Sequence, residues 1–215
     1  MRNNFDKQLS LLHSDLIKMG AFCENAISLA VKSLLDNDLS LTQKVFAADR
    51  EIDRMEREIE AECLKLLLSQ QPVARDLRVI SSALKMISDI ERIGDQASDI
   101  AELAKYTANS PLTGQIHIKQ MAEAAVKMVT DSIHSFVNSD LTLALEVIKS
   151  DNTVDELFSL IKQELISVMT KNPKQSEICL DLLMVAKYLE RIGDHAENIA
   201  EWVEFSKTGK VNKIL

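Results

Sequence analysis

The chain has 215 residues, 27% of them charged and only 4% aromatic, with five glycines and three prolines. That is the composition of an all-helical protein, long enough to bury a sizeable core. A net charge of −8 and a pI near 5.1 argue against nucleic acid, which needs a basic stripe to displace counterions, and suit cations or basic partners instead.

Apolar residues recur at three- and four-residue spacing almost throughout, predicting long amphipathic helices. Taken in chain order, breaks are expected near Asp36-Asn-Asp38, near Gln70-Gln-Pro72, across Asn109-Ser-Pro-Leu-Thr-Gly114, near Asn138-Ser-Asp140 and near Lys171-Asn-Pro173. Each combines turn and cap residues, with Pro where a new helix can begin. The result is six helices of roughly 24 to 35 residues, grouped three and three. Short turns make neighbours antiparallel, so the expected fold is all-α, two tandem homologous three-helix bundles. The predicted boundaries are residues 1–108 for the first bundle, 109–114 for a linker, 115–207 for the second bundle and 208–215 for a tail. The N-terminus carries no signal-peptide pattern, no run approaches about 18 apolar residues, and Cys23, Cys63 and Cys179 lack CxxC spacing. The expectation is a cytoplasmic protein with reduced, structural cysteines.

The third and sixth helices carry nearly the same segment. Glu91-Arg-Ile-Gly-Asp95-Gln-Ala-Ser-Asp-Ile-Ala-Glu102 and Glu190-Arg-Ile-Gly-Asp194-His-Ala-Glu-Asn-Ile-Ala-Glu201 agree at nine of twelve positions, 99 residues apart. Chance does not produce this, so the chain is a tandem duplication. On a helical wheel, Ile90, Ile93, Ala97, Ile100, Ala101 and Ala104 form one apolar stripe, and Glu91 and Asp95 fall on its shoulder. The preceding helix of each copy holds its own pair, Asp49/Asp53 and Asp151/Asp155. For antiparallel helices turning near residue 72, residues whose numbers sum to about 144 lie level, as do Asp49 with Asp95 and Asp53 with Glu91. The second copy behaves alike about residue 172, with Asp151 opposite Asp194 and Asp155 opposite Glu190. Four carboxylates per copy are therefore expected at one height. Clustered carboxylates repel, and protonation, pairing with Arg or Lys, or a bound cation relieves the repulsion. An all-oxygen set suits hard or borderline metals, and Fe, Mn, Mg and Zn are the candidate ions. Gly94 and Gly193 cost about 1 kcal/mol in a helix interior, which points to close approach by a backbone or ligand beside the acids. Pairing of the acids by Arg50, Arg54, Arg57, Arg92 and Arg191 is the competing reading.

Other candidates carry less. His195 projects about 100° from Asp194 on the wheel, away from the acids. His13, His117 and His134 are isolated, the methionines read as bundle filler, and Trp202 as helix-end packing. There is no Glu-x-x-His pair, phosphate-binding loop or nucleophile triad.

These residues resemble those of the PhoU family of phosphate-signalling accessory proteins. The likeness covers essentially the whole chain and rests on the duplication, the Gln71-Pro-Val-Ala-Arg-Asp-Leu-Arg78 entry to the third helix and the two Glu-Arg-Ile-Gly-Asp cores. It implies paired three-helix bundles whose Glu/Asp-x-x-x-Asp motifs hold metal ions. It further implies a non-enzymatic adaptor linking the phosphate ABC transporter's ATPase subunit to the sensor histidine kinase, repressing the phosphate-starvation response. Such proteins are homodimers in many cases and meet the membrane only through partners. The implied metal ligands are Asp49, Asp53, Glu91, Asp95, Asp151, Asp155, Glu190 and Asp194, with Asp99 as a further candidate. The second copy departs from the first: Lys174-Gln-Ser-Glu177 replaces the Arg-Asp-Leu-Arg entry, and Asn198 stands where the first copy has Asp99. Two alternatives stand beside this reading, a metal-free helical scaffold with acid–arginine networks and a carboxylate-bridged, metal-dependent phosphohydrolase.

Overall fold

The computed structural model describes residues 2–69, 73–107 and 110–210. The expected turn at Gln70-Gln-Pro72, the start of the linker at Asn109 and the end of the tail lie outside them. Six α-helices are present among the described residues: α1 (Arg2–Leu35), α2 (Thr42–Ser69), α3 (Ala74–Thr107), α4 (Ile118–Val137), α5 (Leu141–Lys171) and α6 (Ser176–Thr208). At 20 residues α4 is shorter than the sequence suggests. The linker takes the difference: Ser110 caps a short 3-10 turn over Pro111–Gly114, and the chain reaches helical geometry only after His117.

Corresponding turns are built the same way. Asn37 and Ser139 both take positive φ, 56° and 55°, and an aspartate follows each. Asp38 accepts a hydrogen bond from the Ser40 backbone N–H, and Asp140 from that of Leu143, so one side chain in each turn satisfies an orphan donor of the next helix. The tight reversals lay α1 against α2 and α4 against α5 as antiparallel pairs.

The width of each helix's buried face sets its place. On α2, Val45, Ala48, Ile52, Met55, Ile59, Cys63 and Leu66 repeat at three- and four-residue steps and form one stripe. On α5 only Ala144, Val147, Val154, Ile161 and Leu165 are buried, a narrow seam for an outer helix. By contrast, α3 and α6 bury broad faces because each packs both within its own bundle and against the other. Helices α1 and α4 also meet, with Gly20 giving room to Ile133. The two bundles therefore share one continuous apolar core. Fully buried Ile90 sits within it, and truncating such a side chain to Ala costs about 2–5 kcal/mol. All three cysteines are free and buried, and burial pushes the Cys63 thiol up to about 12.

Where α3 crosses α6, the pairs Arg78–Ser206, Ser82–Trp202 and Asp89–His195 lie opposite one another. Each pair sums to 284, so these central helices run antiparallel in a single register. Trp202 is half-buried near the end of α6, its carbonyl accepting from the Ser82 hydroxyl and its ring meeting Phe205 edge-on. No described helix is long and apolar enough to cross a membrane.

Candidate functional site

The register places the acids of α2 beside the motif of α3. A Cβ added to Gly94 would lie 2.9 Å from Asp49 Oδ1 and 2.9 Å from Ile52 Cδ1. In the second copy, a Cβ on Gly193 would lie 3.2 Å from Val154 Cγ1 and 3.3 Å from Asp151 Oδ1. Both mid-helix glycines thus answer to the neighbouring helix: an aspartate side chain and an apolar neighbour of α2 or α5 fill the space a methyl group would take. The sequence points to a backbone or ligand beside these glycines; side chains of the neighbouring helix take that place instead.

The first ledge contains Asp49, Asp53, Glu91, Asp95 and Asp99. Burial raises the Asp49 carboxyl; the neighbouring Ser98 hydroxyl opposes this, and the charges of Asp53 and Asp95 add to it. Burial, then the charge of Asp95, raises Glu91 against the opposing influence of Arg92. Asp99 is raised by burial and by Asp95 and Glu102. Arg92 pairs with two acids of this ledge, its Nη1 3.1 Å from Asp95 Oδ2 and its Nε 3.4 Å from Glu91 Oε2, while the charges of Arg50 and Arg191 act on Asp49 and Asp99. On α2, Arg54 pairs with Glu51 and Glu58 and stays off the ledge acids.

The second ledge contains Asp151, Asp155, Glu190 and Asp194. Burial raises Asp194, as does the charge of Glu190; Lys187 opposes them. Lys187 also makes an ion pair with Glu190 and lies over the Phe158 ring, 5.6 Å from its centroid. Lysine thus does here what Arg92 does on the first ledge. The signal for Lys187 lies in the sequence, where it stands three residues before Glu190 on the same helix face.

The expected metal cofactor is corrected by this geometry. Among the described residues, no three His, Cys, Asp or Glu side chains come together in an arrangement that could hold a metal ion. Level heights are not convergence. Glu91 and Asp95 turn to Arg92, Glu190 turns to Lys187, and Asp49 tucks one oxygen against Gly94. The donor set does not fit Fe, Mn, Mg or Zn, and no step is assigned to such an ion.

His195 has a different task. Its Nδ1 is 2.9 Å from Asp89 Oδ1, and the Asn198 amide donates to the same oxygen at 3.2 Å. The His195 and Asp89 side chains are 18% and 16% exposed, so a largely buried polar bridge ties the second bundle to the first. Pairing by summed residue numbers needs a turn to supply the centre, and α3 and α6 share none. The sequence therefore held no signal for the Asp89 bridge. His117, just before α4, and Glu164 of α5 make a further contact, 2.6 Å apart, within the second bundle.

Fold and site together define a duplicated all-helical body in which Arg92 and Lys187 meet acids of their own helices, Glu91, Asp95 and Glu190. The PhoU domain model matches it twice, over residues 16–104 and 118–203. A phosphate-specific transport system accessory protein PhoU homolog of Pseudomonas aeruginosa is 38% identical over 95% of this chain and 86% of that protein. A homolog of the same description from Deinococcus radiodurans is 35% identical over 97% of this chain and 99% of its own length. The crystal structure of PhoU from Pseudomonas aeruginosa superposes with a TM-score of 0.89 at 36% identity, covering 96% of this chain and 100% of that one. That of the phosphate transport system regulatory protein PhoU from Streptococcus pneumoniae superposes with a TM-score of 0.87 at 25% identity, covering 98% and 100%. The chain belongs to the PhoU family, and it is an accessory protein rather than an enzyme.

Proposed function

We propose that this protein is a helical adaptor of the phosphate-starvation response. It docks on the ATPase subunit of the phosphate transporter and on the sensor histidine kinase, in the cytoplasm and as a homodimer, and represses the response when phosphate is plentiful. The observation that carries the reading is the double match to the PhoU domain along nearly the whole chain. The long α3–α6 seam supports it physically: a body with one continuous core presents fixed surfaces to two partners at once.

Within this adaptor the acidic ledges form acid–arginine and acid–lysine networks through Arg92 and Lys187. They keep repelling carboxylates at one height without a cofactor, and the phosphohydrolase alternative loses its metal with them. The test is deletion of the gene in its own host, with a phosphate-starvation reporter read in phosphate-rich medium. Derepression on deletion and restored silencing by the intact chain support the proposal. Unchanged reporter output on deletion would refute it.

A further inference from the structure

The outer face of α6 carries a line of side chains that its duplicate lacks. From Glu177 through Leu180, Met184 and Lys187 to Arg191, steps of three and four residues keep to one side of the helix. Glu177 and Arg191 are exposed, Leu180 is 55% exposed and Met184 44%. In the first copy the equivalent positions on α3 are Arg78, Ser81, Lys85, Ser88 and Arg92. That line is polar and cationic throughout, whereas the line on α6 runs from acid through apolar to base. Beside it, burial and the charge of Glu177 raise the Asp181 carboxyl. Glu177, Asp181 and Arg191 make no ion pair among the described residues, while Lys187 is held by Glu190 and the charge of Arg191 acts on Asp99. The flanking helices bring charges of both signs to these heights: Asp99, Glu102 and Lys105 on α3, Asp155 and Lys162 on α5, with Lys171 and Lys174 at the turn before α6. Net charge therefore selects no partner here; the order along α6 does.

We infer that this line is where two copies of the chain meet, α6 packing antiparallel against α6 about a two-fold axis at Met184. The inference rests on the homodimer proposed above and names the face that forms it. A two-fold contact sets a surface against itself, so a face that reads acid, apolar, base matches its own copy only when the two run antiparallel. Residues whose numbers sum to 368 then come level. Met184 meets Met184 of the second copy, and flexible thioethers fill irregular gaps well. Glu177, Met184 and Arg191 stand at seven-residue steps, about 20° short of two full turns each, so they share one line and Glu177 faces Arg191 of the second copy. The symmetry makes that contact twice. Leu180 covers the aliphatic stem of Lys187 of the second copy, and Lys174, just before α6, comes level with Asp194 of the second copy. From Glu177 to Arg191 the line spans about 21 Å. The duplicate supplies a control: in the same arrangement the α3 line would set Arg78 against Arg92 and Lys85 against itself, cation on cation.

The test is sedimentation equilibrium of the full chain over a range of concentrations, with circular dichroism to confirm that each variant stays helical. The parent is expected to be a dimer. Glu177→Arg and Arg191→Glu each set like charges opposite one another twice, so each should weaken the dimer about thirtyfold. Combining them restores both pairs, and the dissociation constant should return to within about threefold of the parent's. Met184→Asp places an acid on the axis against its copy and should leave monomer. Leu64→Ser, at an exposed position of α2, should change nothing. Arg191→Glu also meets Asp99 of its own chain; if it loses helicity, Glu177→Arg and Met184→Asp decide. A dimeric parent whose dissociation constant is unchanged by Met184→Asp and Glu177→Arg overturns the inference and leaves the homodimer standing on another face. A parent that is monomeric at every concentration overturns both. Single reversals that weaken the dimer without rescue by the double variant overturn the pairing of Glu177 with Arg191, and the two-fold axis at Met184 with it.

Discussion

Replacing Gly94 by Ala tests whether the mid-helix glycines exist to admit a side chain of the neighbouring helix. The substitution should gain about 1 kcal/mol of helix propensity. Against this, the new methyl group would lie 2.9 Å from both Asp49 Oδ1 and Ile52 Cδ1. Ile52 is fully buried and cannot swing into solvent, and overpacking of this kind costs about 1–3 kcal/mol. Gly94→Ala should therefore destabilise by about 1 kcal/mol net. At Gly193 the equivalent contacts are 3.2 and 3.3 Å, so neighbours need yield only slightly and the two effects should cancel to within about 0.5 kcal/mol. Urea unfolding followed by circular dichroism measures both variants, the change being read from the midpoint at constant slope. Adding Ile52→Val to Gly94→Ala removes the Cδ1 contact and should cost less than Ile52→Val does alone, a coupling that a double-mutant cycle detects. Equal losses at the two glycines, or no coupling with Ile52, would refute the reasoning.

The remaining predictions concern charge and the bundle interface. Asp49, Glu91, Asp99 and Asp194 are raised in the fold, so the unfolded chain gives up their protons first. Their contribution is complete below the unfolded value of about 4 and is lost as pH rises through the folded values. Asp49→Asn should accordingly raise the melting temperature at pH 7 with the advantage vanishing near pH 4, and a variant less stable than the parent at pH 7 would count against the bare ledge. Burial lowers His13, which acts in the opposite sense near pH 6, so the comparison is made between variant and parent at each pH. EDTA should leave the melting temperature unchanged, whereas a metal present at a hundred times its Kd would contribute about 2.7 kcal/mol and its removal would show. Asp89→Ala should cost about 1–3 kcal/mol, because His195 and Asn198 lose their shared acceptor; His195→Ala combined with it should cost less than the sum of the two single changes.

The sequence by itself determined the helices, their grouping and the heights of the acids. Apolar spacing is local, the capping aspartates Asp38 and Asp140 act within three residues, and short reversals fix antiparallel register arithmetically. That is why the sequence sets Asp49 level with Asp95, and Asp151 level with Asp194. Duplication gave the family resemblance for the same reason, since repeated residues are visible without a fold. Only the tertiary structure decided where each carboxylate points. Side-chain direction depends on which cation reaches it, and Arg92 and Lys187 drew away acids that level placement alone would gather around a metal. The α3–α6 seam was likewise hidden, along with the Asp89–His195–Asn198 bridge that crosses it. Helices joined by no turn leave no register in the sequence; burial of their broad apolar faces brings them together, and that follows from packing the whole chain.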